Sequence, residues 1–328
     1  MRLGYSVQDL LLFVPSGCGI SLFVMMTLLA TYVHDLDPVL LEIPGTPFAI
    51  RWYGLAYLAG FVLGYYVLLQ FSKRKLYCVE PERLPDFVAM YACLAGVVCG
   101  GRLGEFFFYW LPQHGLSGFL DDPLWVFRVW EGGMASHGGI IGVILMAWLY
   151  ARRHAHSFPA VLDGLAIAAP IGLCFGRVAN FINGELWGRV CSADNPIAVK
   201  FPQELGARDY AWYCHMPAEA QTRIAELVLP ARYPSQLFEA LGEGLLIFLV
   251  LLVVRLKWRK APAGVFAGLF GVLYAVARVV CECYKEPDDV VWYGITKGQW
   301  LSFGVFAAGV AFLIYAFLHR KIENLQKN

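Results

Sequence analysis

The stretch Val161–Gly188 reads Val-Leu-Asp-Gly-Leu-Ala-Ile-Ala-Ala-Pro-Ile-Gly-Leu-Cys-Phe-Gly-Arg-Val-Ala-Asn-Phe-Ile-Asn-Gly-Glu-Leu-Trp-Gly. Its apolar first half predicts a helix buried in a bilayer. Its second half adds four polar side chains, Arg177, Asn180, Asn183 and Glu185. A charge at membrane depth costs roughly 2.5–3.5 kcal/mol on insertion scales, so such residues indicate a functional site. The structural alternative is that Arg177 snorkels to a headgroup while the amides cap the helix.

The composition of the whole chain favours the membrane interpretation. Of its 328 residues, 59% are hydrophobic and only 16% are charged, and the mean hydropathy is +0.56. A soluble protein carries about a quarter charged residues. Because the apolar residues come in blocks of about 20, we predict an all-α, polytopic membrane helix bundle. A net charge of +1 gives no reason to expect a nucleic-acid partner.

The apolar blocks predict about seven transmembrane helices. They cover approximately residues 52–71, 86–111, 133–151, 160–183, 235–254, 263–283 and 299–318. Short basic clusters lie between alternate blocks and in the tail: Lys73-Arg74-Lys75, Arg152-Arg153, Arg255 to Lys260, and Arg320-Lys321. The positive-inside rule therefore predicts a cytoplasmic C-terminus. The opposite loops are longer, and the segment 184–234 among them is expected to form a small external cap.

Residues 1–34 precede this seven-span domain, which we place at 35–328. Their apolar stretch is interrupted by Pro15-Ser16-Gly17 and lacks a convincing signal-peptide pattern. We interpret them as an N-terminal extension, either an upstream over-prediction of the gene start or an extra hydrophobic element.

Polar residues recur at the ends of the predicted spans. They are Tyr53, His137, Arg177, Asn180, Gln236, Glu239, Tyr274, Arg278, Glu282 and Gln299. Each has a structural alternative: a lone His at a span start is commonly an interface residue, and Arg278 and Glu282 could simply neutralise each other at i,i+4. A single polar cavity inside the bundle, near the outer leaflet, explains all of them at once.

Glycines mark places where helices or ligands come close. The spacing of Gly96, Gly100 and Gly104 predicts helix–helix packing. Gly138-Gly139, directly after His137, would admit either a ligand or another backbone. Arg102 and Glu105, three residues apart, are expected to form a structural ion pair.

Two arginines on different helices, Arg177 and Arg278, suit a phosphate group, since the guanidinium fork matches oxyanions and stays charged. In a bilayer the abundant phosphates are lipid headgroups. The chemistry therefore predicts a phospholipid-binding cavity, which could serve an enzyme, a lipid transporter or a lipid sensor.

The nine cysteines are scattered and mostly lie in apolar runs, so we expect no disulfide, no metal site and no cofactor.

Several motifs together resemble the prolipoprotein diacylglyceryl transferases of bacteria. The most specific is Gly176-Arg177-Val178-Ala179-Asn180-Phe181-Ile182-Asn183-Gly184-Glu185. The others are Asp35-x-Asp37-Pro38, Trp52-Tyr53-Gly54-Leu55, Gly100-Gly101-Arg102-x-Gly104, His137-Gly138-Gly139-Ile140-Ile141-Gly142, Tyr233-Pro234-Ser235-Gln236-Leu237-x-Glu239, Tyr274-x-x-x-Arg278-x-x-x-Glu282 and Gly298-Gln299. They run from about residue 35 to the end of the chain.

The resemblance implies a seven-span enzyme of the bacterial plasma (inner) membrane, with its active site toward the outer leaflet. Such enzymes transfer the diacylglyceryl group of phosphatidylglycerol to the lipobox cysteine of a preprolipoprotein signal peptide and release glycerol 1-phosphate. No cofactor or metal is implied. The rival hypothesis is a non-enzymatic phospholipid transporter or lipid-binding protein that uses the same arginines.

The resemblance also implies roles for individual residues. Arg177 and Arg278 would hold the phosphate, and His137 is the candidate base for the thiol. Alternatively, His137 only positions the headgroup, while Glu185, Glu282 or the arginines assist thiolate formation. The remaining candidates would bind or line the substrate: Tyr53, Gly138, Gly139, Asn180, Asn183, Gln236, Tyr274 and Gln299.

Overall fold

The computed structural model describes residues 31–42, 44–45, 49–128, 133–287 and 291–327. Most of the predicted N-terminal extension, residues 1–30, therefore lies outside the described residues. The chain divides into two compact units. The described part of the first, here called the cap unit, consists of 31–37, Phe181–Gln236 and Tyr284–Glu286. The second, the helical unit, consists of Pro38–Asn180, Leu237–Cys283 and Pro287–Asn328.

The helical unit begins with a short antiparallel pair and continues as long helices. Strands β2 (Val39–Glu42) and β3 (Ala49–Arg51) pair with Val39 opposite Arg51, and an irregularity follows at Leu41. The helices are α1 (Trp52–Lys73), α2 (Leu84–Gly115), α3 (Ser136–Arg153), α4 (Phe158–Ile182), α7 (Ser235–Lys257), α8 (Val265–Glu282) and α9 (Lys297–Lys327). Gly115 has a φ of 69° and ends the regular part of α2.

The predicted all-α membrane helix bundle is confirmed. Six described helices are long and apolar enough to cross a membrane: α1, α2, α4, α7, α8 and the part of α9 up to Arg320. The other predicted span is α3, which has 18 residues but starts at Ser136-His137 and ends in Arg152-Arg153, and these polar ends lower its hydropathy. Many apolar side chains of these helices are exposed, among them Leu58 of α1, Phe107 of α2 and Phe317 of α9, and lipid chains cover such surface in a bilayer.

Two apolar clusters hold the helical unit together. One centres on Leu68, Phe87 and Val161, and the other on Phe71, Leu251 and Phe266. These six residues belong to five different helices, so each cluster joins elements far apart in the chain. Burial of this kind fixes how the polar ends of the helices are arranged.

The predicted packing role of the Gly100 and Gly104 spacing is confirmed. Where α2 crosses α3, a Cβ on Gly138 would lie 2.4 Å from the carbonyl oxygen of Gly100 and 2.6 Å from Cα of Gly104. Real Cβ atoms do not approach backbone so closely, so the crossing requires glycine on both helices. Gly138 therefore admits a neighbouring backbone in this structure.

The predicted ion pair between Arg102 and Glu105 is wrong for the described residues. Arg102 is almost fully buried and instead donates to the backbone carbonyls of Trp125, Val126, Arg128 and Gly133, at 2.7–3.1 Å. The physical reason is geometric: a guanidinium carries five donors, and several carbonyls can use them where a single carboxylate cannot. Arg102 thus anchors the loop that follows α2.

The cap unit contains the segment 184–234 that was predicted to fold as a cap. Strand β1 (Tyr32–Val33) pairs in parallel with β4 (Val199–Lys200), and two short helices follow, α5 (Ala207–Cys214) and α6 (Ala218–Leu227). Arg232 is the main polar centre of this unit. Its guanidinium donates to both carboxylate oxygens of Glu204, to a Glu286 oxygen at 3.1 Å and to the Gly188 carbonyl at 2.8 Å. These bonds tie three separate segments together.

Candidate functional site

The two predicted phosphate-binding arginines meet in the helical unit. Arg177 lies near the end of α4, and Arg278 lies in the last third of α8. Neither side chain is fully covered: Arg177 is 18% exposed and Arg278 is 13% exposed. Carboxylates of α7 hold both guanidinium groups. The apolar packing of the unit brings these carboxylates between the two arginines.

Glu239 joins the two arginines directly. Its Oε2 atom lies 2.9 Å from Nη2 of Arg177 and 2.9 Å from Nη1 of Arg278. One carboxylate oxygen thus accepts from guanidiniums on two different helices. The glutamate side chain is 1% exposed, so the contact is shielded from solvent, and charge-assisted bonds of this kind are the strong ones. Glu239 therefore sets the spacing between the two guanidinium groups.

Glu243, one turn further along α7, reinforces this arrangement. Its Oε2 lies 3.5 Å from Arg177 and its Oε1 lies 3.2 Å from Arg278, and the side chain is fully buried. The surrounding turns, Ala240–Leu246, are π-helical, a widened geometry that often accompanies functional residues. The pair Arg278–Glu282, at i,i+4 on α8, adds a contact of 2.9 Å. Three carboxylates thus face two guanidiniums, which leaves one excess negative charge when all five are ionised.

Glu282 connects this charged cluster to the start of α9. Its Oε1 accepts a hydrogen bond from the Thr296 hydroxyl at 3.1 Å. Thr296 and Gln299 form a reciprocal capping box. The backbone N–H of Gln299 donates to the Thr296 hydroxyl, and the side-chain oxygen of Gln299 accepts from the backbone N–H of Thr296. Gln299, predicted to bind substrate, is thus shown here as a helix cap that holds Thr296 against Glu282.

Gly298 makes this contact possible. A Cβ on Gly298 would lie 2.8 Å from the carboxylate carbon and both carboxylate oxygens of Glu282. We expect Gly298→Ala to push Glu282 away from Arg278 and to lower turnover by about tenfold, since a displacement costing about 1.4 kcal/mol corresponds to one decade. The measurement is steady-state activity of the purified variant, with Gly304→Ala as the control. Position 304 has no atom within 4 Å of an added Cβ. Equal activities of the two variants would show that the position of Glu282 does not matter.

Other predicted residues lie in the helical unit without a described bond to the charged cluster. His137 occupies the first turn of α3 and is exposed, and within the described ranges no hydrogen bond or ion pair joins it to Arg177 or Arg278. Tyr53 lies in the first turn of α1 with its ring 5.1 Å from that of Tyr57. Tyr274 precedes Arg278 by one turn of α8, which places both on one face. Gly139 and Asn180 are buried in their helices.

Three predicted residues belong to the cap unit. The Asn183 side-chain amide donates to Oε1 of Glu185 at 3.4 Å, and the Gln236 side chain donates to the Glu185 backbone carbonyl at 2.7 Å. These bonds order the segment that follows α4.

Glu243 and Thr296 were not among the predicted residues, and Glu239 was expected to lie in the polar cavity but was given no catalytic or binding role. A signal was present, because Glu239 and Glu243 are i,i+4 neighbours inside an apolar stretch, where carboxylates are costly unless paired. Thr296 gave no such signal, since a threonine before a helix is ordinarily only a cap.

Among the described residues, no group of three or more His, Cys, Asp or Glu side chains is arranged to hold a metal ion.

The fold and the site define a multi-pass membrane protein whose helices hold a cluster of two arginines and three glutamates between them. A sequence model of the family described as prolipoprotein diacylglyceryl transferase matches residues 38–315. The chain belongs to that family.

Relatives from several bacteria agree with this assignment. The phosphatidylglycerol–prolipoprotein diacylglyceryl transferase of Bdellovibrio bacteriovorus is 39% identical over 334 residues, covering 86% of this chain and 93% of the relative. The protein of the same name from Photorhabdus laumondii is 39% identical, covering 87% and 94%. That of Yersinia enterocolitica is also 39% identical, covering 86% and 93%. The similarity therefore extends over nearly the whole length of each relative.

Proposed function

We propose that the chain is an enzyme that transfers the diacylglyceryl group of phosphatidylglycerol to a cysteine thiol of a prolipoprotein, the first step of lipoprotein maturation. The family and the names of the relatives support the reaction and both substrates. The observation that carries the proposal is the pair Arg177 and Arg278, held together on the buried Glu239. We further propose that the acceptor is the lipobox cysteine of the signal peptide.

The arginine pair retains donors for a phosphate. Arg177 contacts the carboxylates through Nη2 alone, so its Nε and Nη1 have no hydrogen-bond partner among the described residues. Arg278 uses Nη1 and Nη2, and its Nε likewise has none there. The glutamates would orient the guanidiniums from one side while the phosphate accepts from the remaining N–H groups. In a site from which water is excluded, such preorganised donors stabilise charge on a leaving group.

The proposed reaction is a displacement at carbon. The cysteine sulfur attacks the phosphate-bearing carbon of the diacylglyceryl group, an S–C bond forms, and the bond between that carbon and the phosphate oxygen breaks. Glycerol 1-phosphate leaves with the bonding electrons, while the thiol proton passes to a base. The arginine N–H groups that face the phosphate would stabilise the charge that develops on the leaving group. Tyr53, Gly139, Asn180, Asn183, Gln236 and Tyr274 remain proposed substrate-contacting residues.

Purified protein in phosphatidylglycerol vesicles tests the reaction. Glycerol phosphate should appear only when a lipobox peptide is added, and not when its cysteine is replaced by serine. Equal release with the serine peptide would contradict the proposed chemistry. Movement of lipid between leaflets without peptide and without release would instead support the transporter hypothesis.

His137 is the proposed base for the thiol proton, with a positioning role as the alternative. We expect His137→Asn to lower activity roughly 10²–10⁴-fold at neutral pH, because a hydrogen bond survives but the base does not. The deficit should shrink as pH rises, since a free cysteine with a pKa of about 8.5 then ionises unaided. The measurement is glycerol phosphate release against pH. A deficit that stays constant with pH would assign His137 to headgroup positioning and leave Glu185, Glu282 or the arginine field to assist the thiol.

We propose that the protein lies in the bacterial inner membrane with its active site toward the outer leaflet and its C-terminus in the cytoplasm. The asymmetry of Lys and Arg between alternate loops supports this orientation. Alkaline phosphatase is active only outside the cytoplasm. We therefore expect it to be inactive when fused after Asn328 and active when inserted near Asp209. The reverse pattern would overturn the orientation.

A further inference from the structure

A second charged feature lies at the other end of the helical unit. A cavity of about 240 Å³ is lined by residues from the end of α1, the following loop, the start of α4 and the end of α7. Asp163, which lines it, precedes Arg177 by 14 residues on α4, or roughly 21 Å along the helix axis. This cavity is therefore separate from the arginine–glutamate cluster.

Arg255 is the central charged group of this cavity. One of its terminal nitrogens donates to the Leu76 carbonyl, and its guanidinium carbon lies 5.0 Å from the centre of the Phe266 ring. Among the described residues, its other donors have no hydrogen-bond partner, and no carboxylate lies within 4 Å. A half-buried guanidinium with donors left over is suited to an external anion.

The acidic residue in the cavity, Asp163, attracts Arg255 through space but makes no ion pair with it within 4 Å, so it leaves the remaining donors of Arg255 unused. Asp163 accepts from the backbone amides of Gly264 at 2.8 Å and Ala267 at 2.9 Å, so its two oxygens cap the start of α8. Lys75 adds a second positive charge at the rim. It has a φ of 55°, which turns the chain after α1, and its side chain is exposed.

An apolar groove adjoins the cavity. A second space of about 160 Å³ shares Phe71 with the first and lies between α1 and α7, lined by Val67, Phe248, Leu252 and Leu256. Arg74 lines this groove as well. Both helices belong to the apolar set that can cross a membrane, so the groove faces the region that acyl chains occupy. Cationic cavity and apolar groove together match a molecule with an anionic head and a hydrocarbon tail.

We propose that this end of the bundle binds one anionic phospholipid, with its phosphate in the cavity at Arg255 and Lys75 and an acyl chain in the groove between α1 and α7. Charge complementarity selects the anionic head, and the adjoining groove distinguishes a lipid from a free phosphate ion. The site is independent of the transfer reaction, because none of its residues takes part in the proposed chemistry.

Native mass spectrometry of the full chain in neutral detergent tests this site. Phosphatidylserine serves as the anionic probe, phosphatidylcholine as the zwitterionic comparison and inorganic phosphate as the competitor. We expect Arg255→Gln to weaken retention of one phosphatidylserine by about 10–100-fold, the range expected for losing a hydrogen bond to a charged group. Lys75→Gln should weaken it by severalfold, and Lys260→Gln, at the same end of the bundle but outside both spaces, should leave it unchanged.

Three results would overturn the proposal: equal retention of phosphatidylcholine, displacement by millimolar phosphate, or wild-type retention in both Arg255→Gln and Lys75→Gln. Lys75→Gln keeps the test valid if Arg255→Gln fails to fold, because the Lys75 side chain is exposed and makes no described ion pair.

Discussion

Arg177→Lys and Arg278→Lys should each reduce turnover by about 1.5 to 3.5 orders of magnitude while the protein still inserts in the membrane. A lysine ammonium is a point charge that cannot contact Glu239 and a phosphate at the same time in the geometry of a planar guanidinium. Losing a charge-assisted bond in a buried site costs about 2–5 kcal/mol, and each 1.36 kcal/mol is a factor of ten in rate. The measurement is glycerol phosphate release under saturating lipid and peptide.

A matched arginine is available as the control. Arg208, on α5 of the cap unit, is exposed and makes no described ion pair, so Arg208→Lys should retain near-normal turnover. Wild-type activity in Arg177→Lys or Arg278→Lys would remove that arginine from the phosphate site. Loss of membrane-inserted protein in both variants would assign the arginines to folding instead.

Glu239→Ala is expected to have an effect of similar size for a different reason. The substitution removes the one oxygen shared by Arg177 and Arg278 and leaves two largely covered guanidiniums with fewer partners. Breaking a buried ion pair by removing one member costs about 3–5 kcal/mol. We expect a large fall in thermal stability and a loss of turnover of at least about a hundredfold.

Glu239→Gln separates positioning from folding. The amide keeps an oxygen that can accept from both arginines, so stability should recover more than activity does if the carboxylate charge orients the guanidiniums. Glu226→Ala, at an exposed position of α6, is the control and should match the wild type in both measurements. Normal turnover in Glu239→Ala would contradict the proposed role of the shared carboxylate.

Much of the fold could be predicted because the bilayer restricts the choices. An apolar block of about 20 residues has few options other than a spanning helix, and six of the predicted blocks have this form. The start of α3 was predictable from Ser136-His137, although the polar ends of this helix weaken the membrane signal. The position of Arg102 was not predictable, since its carbonyl partners come from a loop with no regular pattern.

The site was predictable where spacing and charge coincide. Arg278 and Glu282, four residues apart on one helix, pair as the pattern allows, and Arg177 lies close to the same cluster. The spacing of residues along the chain does not show which residues on different helices are partners. Glu239 and Glu243 lie more than 30 residues from either arginine, and nothing in the sequence places them between Arg177 and Arg278. The capping role of Gln299 depends equally on three-dimensional contact with Thr296.

In the proposed reaction the chain moves a diacylglyceryl group to a thiol, and a phosphate is the leaving group. The most direct test uses phosphatidylglycerol that carries one isotope in the diacylglyceryl part and another in the headgroup glycerol, incubated with a lipobox peptide. Mass spectrometry should find the diacylglyceryl label on the peptide, in a linkage that resists both reductant and hydroxylamine, with the headgroup label only in free glycerol phosphate. Headgroup label on the peptide, or a linkage that hydroxylamine cleaves, would contradict the proposed reaction.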